Sequence, residues 1–222
     1  MARLPIKGPG SPLDFRHSEV EAKMEFSGAA IGLQRAELDT AAATLGVEPE
    51  ALFAIPMVET LGVGFLHDGR PKLLFERHLF RSLTAGRFDA GHPEVSGPPG
   101  GYGAAGAHQY DRLAEAIQLD REAALMSASW GLGQTLGRYH ALAGYAGVEA
   151  MVAAYVRSEA AQLDGLARFI AADAALVKAL RAKDWPGVAR RYNGPDYGAN
   201  RYDRRLAEAY ARLRASKTKP VP

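Results

Sequence analysis

The chain has 222 residues and no cysteine. Disulfides and thiolate metal sites are therefore excluded, and packing alone has to hold the fold. No run of about 18 or more apolar residues occurs, so nothing reads as a membrane span. The first ten residues hold no apolar stretch of the kind a secretory signal needs, and a protein made inside the cell is expected. Excess charge is also small. A net of +2 is too little to argue for nucleic acid, but it is compatible with an anionic polymer. His78, His92, His108 and His140 are scattered without paired ligand spacing, and no His-Glu-x-x-His occurs, so no metal or other cofactor is expected. No Gly-x-Ser-x-Gly elbow is present, which leaves little room for an acyl-transfer nucleophile.

What is present is a globular profile: 47% hydrophobic and 23% charged residues, with 24 glycines and 13 prolines as punctuation. We expect one domain over residues 21–216, with an N-terminal arm over 1–20 and a basic C-terminal tail over 217–222. Glu19–Met24 reads as a short helix inside that entry region. Helical spacing marks Arg35–Leu45, ended by Gly46, and a second helix opening at Pro49. Pro56 within it predicts a kink or a later start. From Tyr110 onward the pattern is helical almost throughout, in segments 110–119, 121–126, 148–156, 159–171, 174–182, 185–192 and 202–213. Asp89–Gly106 is a loop dense in glycine and proline, either a functional ordered loop or a surface insertion. The expected class is α+β, predominantly α-helical, with a small β element.

The stretch Ala51–Phe80 organises the rest. An apolar helix ends in Glu59, breaks at Gly62 and Gly64, and returns as a short strand, Pro71–Phe75, delivering Glu76. Burial should raise the pKa of Glu59, whereas Glu76 on a more polar strand should stay ionised. Two carboxylates with pKa values pushed apart suit glycoside hydrolysis. Their separation would set the outcome, roughly 5 Å for retention and 6.5–9.5 Å for inversion, a rule whose type case is lysozyme. The plainer alternatives are a surface glutamate at 59, and a Glu76 that only pairs with Arg70, Arg77 or His78.

Two further motifs stand out. Ser127–Gln134 (SASWGLGQ) places small residues in what reads as a helix, which points to close approach of a backbone or a ligand. Gln134 there can donate and accept towards sugar hydroxyls and N-acetyl groups, unless it is incidental to helix packing. Arg191–Tyr197 (RYNGPDY) is a turn flanked by tyrosines, suited to sugar rings or simply a covered turn. Arg190, Arg191 and the Arg201–Arg205 cluster could grip an anionic wall or an outer-membrane lipid, or form a solvated helix face.

Val58-Glu59-Thr60, Gly69–His78, Ser127–Gln134 and Tyr192–Pro195, in this order over about Phe26–Leu213, resemble the N-acetylmuramidase family of phage endolysins, within the lysozyme-like superfamily. The departure is Thr60-Leu61, where a small Ser-Gly-like pair is usual. The resemblance implies a lysozyme-like fold with a small hairpin or sheet beside the catalytic helix. It implies cleavage of the β-1,4 bond between N-acetylmuramic acid and N-acetylglucosamine, with Glu59 as general acid. Glu76 would attack, orient water or stabilise the oxocarbenium-like state. Ser129, Trp130, Gln134, Tyr192, Asn193 and Tyr197 would hold or support the glycan. The implied partner is the peptidoglycan glycan strand, without nucleic acid or stable membrane insertion, for a monomer. It would wait in the host cytoplasm and reach periplasmic peptidoglycan after holin-type release. The competing readings are a lytic transglycosylase, which needs one glutamate and leaves 1,6-anhydro ends, and a non-catalytic wall-binding domain.

Overall fold

The computed structural model describes residues 25–218; the arm, the Glu19–Met24 helix and the last four residues of the tail lie outside the described residues. The helices are α1 (Arg35–Leu45), α2 (Pro49–Thr60), α3 (Arg77–Leu83), α4 (His108–Leu119), α5 (Arg121–Met126), α6 (Val148–Arg157), α7 (Glu159–Ala171), α8 (Ala174–Ala182), α9 (Trp185–Tyr192) and α10 (Tyr202–Thr218). The strands β1 (Leu73–Phe75), β2 (Ala128–Trp130) and β3 (Thr135–Leu136) form one antiparallel sheet in that order. Among the described residues, no single helix is long and apolar enough to cross a membrane.

Local chemistry sets most of these boundaries. Gly46 closes α1 in the left-handed conformation, φ 63°, and Pro49 starts α2 where its missing N–H is not needed. Ser158, Asp173 and Asp184 cap α7, α8 and α9 by accepting backbone N–H groups. Three expectations are corrected. Of the kink or later start expected at Pro56, the later start is what is corrected, since α2 runs from Pro49 through it; a mostly buried helix is held by packing strongly enough to accept one missing bond. The Ser127–Gln134 stretch is not helical, because its residues pair across β1 and β3, Leu74 opposite Ser129 and Ser129 opposite Leu136. The last helix runs to Thr218, beyond Leu213, into what the sequence suggests is tail.

Among the described residues, the buried side chains gather into two clusters. The first unites α1, α2 and α7–α10 around Leu52, Ile55, Leu166, Ile170 and Leu206. The second unites the sheet with α3–α6 around Phe75, Tyr110, Leu125, Trp130 and Tyr155. Helix α2 carries eight buried residues of its twelve, and α10 packs along it. The β2–β3 turn bridges the two lobes: Leu132 lies in the first cluster, while Trp130 lies in the second.

Candidate active site

A cleft of about 320 Å³ opens at the seam between the lobes, lined by Glu59, Glu76, Ser129, Gln134, Tyr192 and Asn193 together with Leu74, Thr135, Leu136, Tyr139 and Phe169. Six of the eight residues singled out in the sequence therefore meet in one place. They come from four separate chain segments.

Glu59 enters from the last turn of α2, in the first lobe. Burial pushes its carboxyl above the usual range, against the opposing pull of a Tyr202 hydroxyl that donates to Oε1 and of the Arg205 guanidinium. Tyr202 is itself buried, its pKa raised by burial and by the adjacent carboxylate. Arg205 is held by donating to the Val58 carbonyl at 2.7 Å. The helix end is fixed as well. Thr60 Oγ1 donates to the Leu132 carbonyl at 2.8 Å, and Lys72 Nζ donates to the Thr60 carbonyl at 2.7 Å. The Thr60-Leu61 departure thus keeps a hydroxyl where one is used. Leu61 pays with a left-handed φ of 58° and 78% exposure.

Glu76 enters from the second lobe. It follows β1 and stands at the N-cap of α3, with its backbone N–H donating to the Ser127 carbonyl at 3.0 Å. Arg70 and Arg77 do not pair with it. Arg70 holds Asp68 at 2.7 Å, and Arg77 donates to the carbonyls of Pro98 and Pro93. His78 does approach, Nδ1 to Oε2 at 3.3 Å, without hydrogen-bond geometry. The expectation of polar surroundings for Glu76 is corrected here. Burial raises its pKa too, opposed by His78, by the Tyr102 hydroxyl and by Arg112. A side chain that looks exposed in a Leu-Leu-Phe-Glu-Arg run is covered by a loop more than twenty residues away.

That loop is the Gly- and Pro-rich stretch 89–106, and it is anchored. Gln109 Nε2 donates to the carbonyls of Tyr102 and Ala104, while its Oε1 accepts from Phe75 N–H, directly before Glu76. Arg112 donates to the Glu94 and Tyr102 carbonyls. Tyr102 was not singled out in the sequence, and neither were Tyr202 and Arg205 in relation to Glu59. The signal for Tyr102 is the run of glycines about it, since Gly100, Gly101, Gly103 and Gly106 all take positive φ.

The hairpin supplies the floor. Small residues at 131 and 133 are required by approach of α7: a Cβ on Gly131 would lie 2.5 Å from Gln162, and one on Gly133 would lie 2.9 Å from Leu166. Gln162 in turn accepts from Leu132 N–H at 2.7 Å. Gln134 spends its amide hydrogens on the Lys72 and Gly131 carbonyls, at 3.3 and 2.9 Å. It therefore faces the cleft with acceptor capacity only, not as the donor and acceptor expected.

From the third motif, Tyr192 lines the cleft, donates to the Gly133 carbonyl at 2.5 Å and lies parallel to Tyr202 at 6.5 Å. Asn193 follows it on the same wall. Trp130 and Tyr197 are not in the cleft. Trp130 is 0% exposed, packed against Phe26 and Tyr110, with its indole N–H on the Leu125 carbonyl. It has no surface to offer a glycan and supports the sheet from beneath. Tyr197 lines a different opening beyond the Asn193–Pro195 turn.

The N-acetylmuramidase family model matches residues 48–214, three-quarters of the chain. The crystal structure of the Burkholderia AP3 phage endolysin superposes with a TM-score of 0.76 at 34% identity, covering 98% of this chain and 91% of that one. No curated protein matches the chain. The matched span includes both cleft carboxylates, the hairpin and the tyrosine turn. The chain belongs to the N-acetylmuramidase family and is a glycoside hydrolase of peptidoglycan.

Proposed function

We propose that the chain is an endolysin-type muramidase that cleaves the β-1,4 bond between N-acetylmuramic acid and N-acetylglucosamine, with Glu59 as general acid. The observation that carries this reading is a buried carboxyl, raised above its usual range, at the seam of the one cleft that gathers the sequence motifs. Burial favours the protonated form, the form that a donor to the glycosidic oxygen needs. Tyr202 occupies Oε1, so the transferable proton sits on Oε2.

Glu76 faces the same cleft with a pKa also raised. A carboxylate made more basic by burial suits activation of water better than it suits a permanent counter-charge. We therefore assign Glu76 to the water that attacks the muramic anomeric carbon. It takes one proton while Glu59 gives one to the leaving 4-hydroxyl, with inversion of configuration. Ser129, Asn193 and the free Oε1 of Gln134 meet the glycan's hydroxyls and N-acetyl groups. Tyr192, Tyr139 and Phe169 offer faces to its C–H patches. We infer further that this catalytic domain acts as a monomer and reaches the wall from the cytoplasm after release.

The test is a digest of purified Gram-negative peptidoglycan by wild type and Glu59→Gln, with products read by mass spectrometry. Hydrated, reducing N-acetylmuramic ends from wild type alone support the assignment. Anhydro ends would mean a transglycosylase and remove Glu76 from the chemistry. Intact wall with both proteins would sink the enzymatic reading.

A further inference from the structure

The turn Asn193-Gly194-Pro195 separates two openings. Asn193 lines the catalytic cleft, and Pro195 lines a second cavity of about 570 Å³, walled by Arg190, Tyr197, Arg201, Asp203 and Arg204. Two residues of chain span at most about 7 Å. The two openings therefore share a wall.

The arginines of the second cavity are unusual for being unused. Among the described residues, the exposed side chains of Arg190, Arg201 and Arg204 make no ion pair or hydrogen bond. Their neighbours are engaged, Arg191 with Asp173 at 3.2 Å and Arg205 with the Val58 carbonyl. Asp203 is the one carboxylate in the wall, against three guanidinium groups. Two of these cations are also placed against local stability. Arg201 and Arg204 sit at the start of α10, where the positive end of the helix dipole disfavours them. Arg201 in addition holds a left-handed φ of 50°, which glycine or asparagine adopts more easily. A positive helix end and free guanidinium forks share one cavity, and an anion would relieve both.

We propose that this cavity receives the carboxylates of the stem peptide that hangs from N-acetylmuramic acid while the glycan occupies the cleft. This rests on the assignment of the cleft to the glycan. The stem starts at the lactyl group on the muramic ring and carries free carboxylates on its isoglutamate and later residues. Four extended residues reach about 13 Å, ample for passing the shared wall. Planar carboxylates match the arginine fork, and Asp203 suits the ammonium of a diamino acid in the same stem. The enzyme would thus read the peptide decoration of its substrate as well as the sugar backbone.

The test compares glycan chains bearing uncrosslinked stems with the same chains stripped of stems by an amidase, for wild type and for Arg201→Gln combined with Arg204→Gln. Wild type should show a KM about fivefold lower on the stem-bearing chains, and the double variant should bring that ratio towards one. Rising salt should erase the preference in wild type, which needs no variant to fold. Equal KM for both substrates in wild type, or a preference that survives the double variant, overturns the proposal. So does an intact preference accompanied by lost binding to anionic phospholipid vesicles, which would reassign the patch to a lipid. No cleavage of either substrate would instead overturn the glycosidase reading on which the proposal stands.

Discussion

The two walls of the cleft reach the same end by different means. The Glu59 wall is helix on helix: α10 packs along α2, and Tyr202 and Arg205 reach the carboxyl and its neighbouring backbone from a helix some 140 residues later. The Glu76 wall is a three-residue strand and a short helix, and its cover is a loop held by side chains clasping backbone carbonyls. Burial raises both carboxyls. On the first wall the burial is built into the helical core; on the second it depends on a loop that could be loosened without unfolding anything else. The first wall should therefore fail all at once and the second by degrees.

The largest effect that tests this contrast is Glu59→Gln. Turnover should fall about 10³-fold, the general-acid contribution. The same variant should be more stable than wild type at neutral pH. A carboxyl whose folded pKa lies above its unfolded value of 4.5 favours the fold below that pH, and loses that contribution as pH rises through the folded pKa. The stability difference between variant and wild type should accordingly close below about pH 4.5, as seen in thermal melts across pH. Equal melting temperatures at pH 7 would show that Glu59 is not desolvated.

Glu76→Gln comes next, with a loss of about 10²-fold if it activates water. A loss below about tenfold would leave Glu76 as scaffolding and make the two walls unequal in chemistry as well as construction. A third substitution probes the seam itself. A Cβ on Gly64 would meet Gln162 Oε1 at 2.0 Å, a polar atom already engaged with Leu132 N–H. Gly64→Ala should cost about 3 kcal/mol, measured by denaturant unfolding, because a buried hydrogen bond is displaced as well as space overfilled.

Gln109→Leu sharpens the loop side of the contrast. It leaves the Phe75 N–H and the Ala104 carbonyl without this partner, and the Tyr102 carbonyl with Arg112 alone, at a cost of about 1–3 kcal/mol. Limited proteolysis should then cut within residues 93–106 before any other site, with the Glu59 lobe still folded. The smallest expected change is Leu61→Gly. It removes left-handed strain at an exposed position and adds backbone entropy to the unfolded chain, for a net gain of about 0.5 kcal/mol in a chemical melt.

The limits of sequence reading follow the same contrast. Helix boundaries were legible wherever the chain carries its own stop and start, as at Gly46-Pro49 and at the aspartates before α8 and α9. Ser127–Gln134 was misread because Ala128-Ser129-Trp130 is too short to show a two-residue period; its strand character comes from partners at 73–75 and 135–136. Trp130 was placed among the residues that hold or support the glycan because an aromatic beside glycines and a glutamine suits both a cleft and a core. Its indole N–H finds the Leu125 carbonyl, and that bond lets it be buried completely.

Glu59 and Glu76, the small residues of the hairpin, and the Tyr192-Asn193 turn are properties of the sequence, because each sits beside a local signal that marks its element. Which of them share a cleft was decided by tertiary packing, as two lobes meet along the β2–β3 turn. So was the upward shift of both carboxyl pKa values, since desolvation depends on what covers a group and not on its neighbours in the chain. Tyr202 carries no local mark of its role, and the glycines around Tyr102 mark a shaped loop but not the carboxyl it covers. Only the fold brings one to Glu59 from 143 residues away, and the other over Glu76 on a loop.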